Sequence, residues 1–569
     1  ARRQEGSCGR PLPTNHGRLF LISRGFVKTC WFLLKWGLLL AVVGVAVGVP
    51  YFYRQVDERI RLRVEETFAA HYANLAVSVR SAEIVEGEGI IVRGLVLAEP
   101  GADGPDAELV RFDEVFLACQ TDLTHLLSGE PTVSRVVVRR PTLRLTRRAD
   151  GSWSAARLLP LPQLSARPPV VTVENGTIEI FDPLRIPSST LTLRDVNLTM
   201  TPPEDSHLRS FEMTLTGDHL RRLELKGRID PHELRYTVDG SIEGLEISPE
   251  LRDALPSELG EKLAVLGALR GQATLKFRLS REGSAGDPLR FDLSGRLTRG
   301  RINDPRLPYP LTDMRASVHM DNEGFAVEHL FARTGQSTIR LSCRRRGYER
   351  TSPMGLEAEV RHLDLSRELL EMPGLPEVLR EQWHKYRPFG QIHADVKLDY
   401  DGQTWRPEAT VQCLDVSLTH YKFPYRLDHG HGTVELQNDL LKVNLEAYSG
   451  SQPIRLAAEV LHPASGPTGW FEAKGDGLPL DKKLFGALND ESRKVFTSLN
   501  PRGTVNFLFR FRQDEPDGPP HKHLVIGLNR CAICYNRFPY PLSNIRGTLE
   551  SLDGRWTFRG LEGANDTAR

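Results

Sequence analysis

His429 and His431 stand two residues apart in "FPYRLDHGHGTVEL", with Asp428 beside them. Residues i and i+2 share one face of a β-strand, so two imidazoles and a carboxylate could converge there as zinc ligands do. Cys531 and Cys534, in "CAIC", have the spacing of half a zinc site or of a redox dithiol. Neither pattern is completed. No second Cys or His pair follows at motif spacing, and "LVIGLNRCAICYNRF" reads as a strand, whereas a thioredoxin-type dithiol opens a helix. The chain carries no G-x-S-x-G, H-E-x-x-H, phosphate-binding Gly-rich Lys loop or dinucleotide fingerprint. Its acidic residues are spread along the polar positions of strands, and no pair stands out as a catalytic dyad. The sequence predicts a non-enzyme with no metal and no cofactor.

A different reading of the histidines comes from repetition. "LPYPLTDMRASV" begins at Leu307, "FPYRLDHGHGTV" at Phe423 and "FPYPLSNIRGTL" at Phe538. Counted from the shared proline, His429 falls in the slot of Asp313 and Asn544, and His431 in that of Arg315 and Arg546. These are polar positions of a repeated strand, and the expected unit is about 115 residues long. The third copy stops in "WTFRGLEGANDTAR", where the next strand would start, so a fragment of a longer chain is expected.

The elements of each unit follow from hydrophobic period. Ala273, Leu275, Phe277 and Leu279 alternate with Gln272, Thr274, Lys276 and Arg278. Ile392, Ala394, Val396 and Leu398 alternate in the same way with Gln391, His393, Asp395 and Lys397. Val505, Phe507, Phe509 and Phe511 alternate with Asn506, Leu508, Arg510 and Arg512. Period-2 alternation means a sheet with one apolar and one wet face, and Gly, Asn, Asp and Pro between the strands suit antiparallel meanders. Helix-like stretches start near Ser248, Ser366 and Asp481, one per repeat, and each unit holds five or six strands. The apolar faces must meet a second sheet, as in a sandwich, or line something else that is apolar. Repeats without linkers favour one continuous, elongated sheet.

With 40% apolar and 26% charged residues the chain is a folded protein. A net charge of +1 provides no field to recruit nucleic acid. Seven cysteines are too few for a disulfide framework. "WFLLKWGLLLAVVGVAVGVPYFY" predicts a transmembrane helix over residues 31–53, built on Trp36, Leu38, Leu39, Leu40, Val42, Val43, Val45, Val47 and Val49. The basic residues before it orient the N-terminus to the cytoplasm, and bulky Tyr51, Phe52 and Tyr53 argue against signal cleavage. The expected organisation is a basic leader (1–30), the membrane helix (31–53), an N-terminal β region (54–245) and repeats at 246–363, 364–478 and 479–569.

This order of features resembles the AsmA-like family of bacterial envelope proteins. The resemblance lies in the leader and single membrane helix, then "AEIVEGEGIIVRGLVL", "RRPTLRLTRRADGSWSAARLL" and repeated β-units with intervening helices. It implies a repeating β-groove of the bridge-like lipid-transfer type: a mainly β, taco-shaped antiparallel sheet whose concave apolar face carries acyl chains. In that reading the protein is anchored in a bacterial inner membrane with its bulk in the periplasm. Its partners are phospholipids and an outer-membrane protein or lipid acceptor at the far end, and it supports outer-membrane biogenesis. The alternative that the same resemblance leaves open is a non-catalytic envelope scaffold or assembly factor for outer-membrane proteins, whose sheet edge docks a partner strand.

Overall fold

The computed structural model describes residues 55–565 together with Val43 and Ala46, apart from residues 86, 102–106, 120–132, 149, 159, 161, 163–167, 184–189, 203–207, 231–234, 256–266, 283–287, 308 and 374. The anchor expected at 31–53 thus lies outside the described residues, except for Val43 and Ala46, which are helical. Among the described residues no helix is long and apolar enough to cross a membrane.

All 26 described strands belong to one open sheet. β1 (Ala76–Ser78) and β2 (Ser81–Val85) share an edge by pairing end to end with β3 (Gly89–Ala98). From there each strand pairs with the next in the chain, through β4 (Glu108–Cys119) and onward to β26 (Arg555–Ala564). Pairing is antiparallel except between β5 (Val133–Thr146) and β6 (Val170–Phe181). The connection between those two carries a 3-10 turn, Ser154–Leu158. It returns the chain to the starting end of β5, as a parallel pair requires. No second sheet faces the first among the described residues, so the sandwich alternative is set aside.

The strands between helical segments number six, β11 (Leu269–Arg281) to β16 (Met354–Leu365) and β17 (Phe389–Tyr400) to β22 (Thr468–Pro479). Ser248 and Asp481 are N-caps whose side chains accept from the amides of Leu251 and Leu484, satisfying donors that the first helical turn leaves free. Ser366 occupies the same position without a side-chain cap bond. The single helix expected per repeat is two in the later copies. Arg367–Leu370 is followed by Glu377–Tyr386, which starts from Pro376, a residue without a backbone N–H and so unable to continue a preceding helix. Lys482–Ala487 is followed by Asp490–Leu499, separated by extended Leu488 and by Asn489, whose side chain caps Ser492.

These helices wall one margin of the sheet. Leu484 and Ala487 pack with Tyr425, Ala447, Ile454, Leu478, Val505 and Cys531 in a buried cluster. At the first edge the helix over residues 55–71 does the same more completely: Ile60, Val64 and Phe68 pack on Val79, Ala82, Ile90, Val92, Val115, Val136 and Val138. Tyr72 donates to the Leu158 carbonyl at 3.2 Å, tying the helix end to the crossover between β5 and β6. The sheet begins, therefore, with its apolar face covered.

Candidate functional site

The registers bring the expected apolar residues of all three aligned strands onto one face. In β11, Ala273, Leu275, Phe277 and Leu279 stand opposite Leu245, Ile242, Gly240 and Val238 of β10 (Arg235–Ile247). On the other side they face Leu297, Gly295, Leu293 and Phe291 of β12 (Arg290–Ile302). In β17, Ile392, Ala394, Val396 and Leu398 lie between Leu363, Val360, Ala358 and Leu356 and the residues Cys413, Val411, Ala409 and Pro407. In β23 (Arg502–Gln513), Val505, Phe507, Phe509 and Phe511 oppose Leu478, Gly475, Ala473 and Phe471. Their partners on the far side are Leu528, Ile526, Leu524 and then Lys522, which ends the apolar series.

Cross-strand partners share a face, so the pairs join into rows. One row runs Val92, Val115, Val138, Val173, Leu198, Met213, Leu225, Gly240, Phe277, Leu293, Met320 and Phe325. A second runs Ala332, Ile339, Val360, Ala394, Val411, Val434, Val443, Ala458, Phe471 and Phe511. A third takes Phe507, Ile526, Leu549 and Phe558 to the last strand. The apolar face is thus continuous from β3 to β26.

Its burial is uneven. Val92, Leu95 and Leu97, beneath the first helix, are each 2% exposed. Downstream the buried positions are scattered, among them Leu215, Ala273, Ile392, Ala394 and Val505. Leu275, Phe277, Leu279, Val396, Leu398, Phe507, Phe509 and Phe511 keep partial access to solvent. A closed core would not leave aromatic side chains half open in this way. An open concavity of about 760 Å³ crosses the middle of the sheet, where Leu330, Leu341, Ala358, Val396, Ala409 and Leu436 follow one another between charged neighbours.

The opposite face is a ladder of alternating charge. Glu83, Arg93, Glu114, Arg139 and Glu174 form a chain of ion pairs at 2.8, 3.1, 2.6 and 3.2 Å. The pairs Arg278–Asp239 at 2.6 Å and Arg510–Glu472 at 2.8 Å repeat the theme further on. The Asp239 bond holds the Arg278 guanidinium above its ordinary range; at Glu114 desolvation pushes the carboxyl up, and the bonds from Arg139 and Arg93 together outweigh it and hold it below its own. Such exposed pairs are screened by solvent and add little to stability; their clearer effect is on register, since a one-residue slip would turn every charge toward the apolar side.

The histidines resolve as backbone features. His429 lies in β19 (Phe423–Gln437), Asp313 in β13 (Leu311–Asp321) and Asn544 in β25 (Pro541–Leu552). All three adopt left-handed φ, at 53°, 51° and 53°. Each is the extra residue of a β-bulge: between Asp428 and His431 the strand advances three residues while its partner advances two, as happens between Thr312 and Arg315 and between Ser543 and Arg546. Asn, Asp and His are the residues that tolerate this conformation best after glycine. The shared polar identity therefore answers to backbone shape, and the signal was present in the alignment. The His429 ring sits 3.1 Å from Asp415 Oδ1, and no group of three or more His, Cys, Asp or Glu is arranged to hold a metal among the described residues.

Cys531 and Cys534 lie on a strand, β24 (His521–Cys534), with Cys531 buried and its thiol donating to the Thr504 carbonyl. Burial pushes the Cys531 thiol pKa up, away from the thiolate that redox chemistry needs. Compared with known families and curated proteins, the sequence matches neither a family model nor a curated relative.

Proposed function

We propose that this protein binds phospholipid acyl chains on its continuous apolar face and conducts lipids along a groove between two membranes, in the manner of the AsmA-like proteins that its sequence resembles. The observation that carries the reading is the unbroken apolar face of a single sheet, partly open to solvent and, among the described residues, covered by helices at its first edge and along one margin. Each CH₂ moved from water to such a surface gains about 0.8 kcal/mol, so a two-tailed lipid is held strongly in aggregate and weakly at any one point. That is the condition for movement without a catalytic group. Strands about 4.8 Å apart advance the groove by roughly 29 Å per six-strand repeat, so a long path is built cheaply from repeats. In this proposal the segment 31–53 anchors the chain in a bacterial inner membrane, the sheet lies in the periplasm, and lipids join the groove beyond β6 because the helix over residues 55–71 occupies its start.

The test is native mass spectrometry with lipid extraction on the purified chain, beside Phe277→Asp and Phe507→Asp. The reading expects co-purified phospholipid in the parent and its loss in variants that keep their circular dichroism. Absence of lipid from the parent, or unfolding of both variants, would refute it. The scaffold reading, in which a sheet edge docks a partner strand, would then lead.

A further inference from the structure

The two margins of the apolar face differ in chemistry. Along the helix-bearing margin the face ends in Ile247, Leu269, Ile302 and Leu311, which pack into a buried cluster with Met314 and Ala332. Along the other margin three strands of the same face end in an arginine, among neighbours that end in Tyr236, Phe291, Phe325, Met354 and Tyr400. Arg281 follows Leu275, Phe277 and Leu279 at two-residue steps in β11 and stands opposite Tyr236. Arg345 follows Leu341 and Cys343 in β15 (Ser337–Arg346) and stands between Phe325 and Met354. Arg209 opens β8 (Arg209–Gly217) ahead of Phe211, Met213 and Leu215, opposite Ile229.

Arginines elsewhere on the sheet, such as Arg278 and Arg340, turn to the polar face and pair with acids of adjoining strands. The three margin arginines have no carboxylate partner among the described residues. The Nε atoms of Arg281 and Arg345 are buried with no hydrogen-bond partner. Arg281 lies 5.8 Å above the Tyr236 ring, and Arg345 reaches only the backbone carbonyl of Glu349. A guanidinium is a planar fork matched to carboxylate and phosphate oxygens, and a buried, unmet donor costs free energy that an anionic ligand would recover. Three and then four strand spacings separate these arginines, about 14 and 19 Å at the usual strand spacing.

We infer that the helix-free margin is a rail for phosphate-bearing lipid headgroups, in which Arg209, Arg281 and Arg345 receive the phosphate while the acyl chains lie across Phe277 and its neighbours. This rests on the lipid-binding reading above and adds to it the residues that receive the headgroup and a side of entry. The helix-walled margin is closed to a charged headgroup; the arginine margin, interspersed with Tyr236, Phe291 and Phe325, suits the boundary between a polar head and its tails.

The experiment measures binding by the full chain, in detergent-free nanodiscs, of fluorescent phosphatidylglycerol and of diacylglycerol with the same chains, with inorganic phosphate as competitor. The parent and the triple variant Arg209→Gln, Arg281→Gln, Arg345→Gln are compared with Arg278→Gln, Arg340→Gln on the polar face. The inference expects the parent to prefer the phospholipid by about tenfold or more, the margin variant to lose that preference while still binding diacylglycerol, and the polar-face variant to behave as the parent. Equal binding of both lipids by the parent, or an unchanged preference in the margin variant, overturns the arginine rail and leaves the lipid-binding reading standing. Binding of neither lipid overturns both. Full displacement by millimolar phosphate would assign the arginines to the free anion and overturn the headgroup.

Discussion

Gly240 and Phe277 offer the sharpest test of the register on which the continuous face depends. They stand opposite each other where the N-terminal β region meets the first repeat. A Cβ placed on Gly240 would lie 2.2 Å from Phe277 Cζ, 2.5 Å from Cε2 and 2.7 Å from Cε1. Carbon atoms rest about 3.5–4.0 Å apart, so the ring must move by more than about 1 Å. Overpacking of that kind costs about 1–3 kcal/mol, while replacing glycine by alanine in an unstrained strand returns about 0.4–1 kcal/mol through the unfolded chain. Gly240→Ala should therefore destabilise the β10–β11 ladder by about 1–2 kcal/mol. In a Phe277→Ala background the same change should be neutral or stabilising by up to about 1 kcal/mol, which makes a coupling of about 1–3 kcal/mol. Native-state hydrogen exchange of the amides in β10 and β11 reads the local opening free energy directly. An equal cost of Gly240→Ala in both backgrounds would refute the register, and with it the continuity of the sheet across this junction.

Three further outcomes follow from particular side chains. His429→Gly should keep or raise the melting temperature and His429→Val should lower stability by about 1–2 kcal/mol, because the position is left-handed; a zinc-dependent melting shift in the parent would contradict the bulge reading. Asp481→Ala removes the cap on Leu484 N and should cost about 1 kcal/mol, seen as faster hydrogen exchange in the Lys482–Ala487 helix; unchanged exchange there would contradict it. Asp401 is lowered to about 2 from 3.8 by backbone bonds from Thr404 and Gln403. Its contribution to the β17–β18 turn, β18 being Trp405–His420, is thus complete above pH 3.8 and lost as the pH falls through about 2. The Thr404 amide shift should titrate near 2, and a midpoint near 3.8 would show that the turn bonds are not made.

Much of the architecture was written in local pattern. Alternation in "ATLKFRL", "IHADVKL" and "VNFLFRF" gave the faces correctly because a strand's period is set by its own backbone. Ser248 and Asp481 marked helix starts because a cap acts on amides only a few residues away. What alternation does not carry is the identity of the neighbour. The parallel pairing of β5 with β6 depends on a connection that crosses the sheet, and nothing in either strand's pattern encodes it. The second short helix of each later repeat turned on Pro376 and Asn489, single residues that override an otherwise helical composition. The bulge at His429 was visible only as a choice among Asp, His and Asn, which reads as polarity until φ is known. The arginines at one margin likewise look like any strand end until the register shows which face they share with Phe277.

The most direct test of the central claim is photo-crosslinking along the sheet. A photoreactive phenylalanine analogue would replace, one at a time, Phe211, Phe277 and Phe509 on the apolar face, Lys276 and Arg510 on the polar face, and Val92 beneath the first helix. The full chain would be irradiated in membranes carrying radiolabelled phospholipid. Lipid adducts at Phe211, Phe277 and Phe509, and none at the other positions, is the result expected of an open groove that starts beyond a covered edge. Adducts at no position, or equally on both faces, would contradict it.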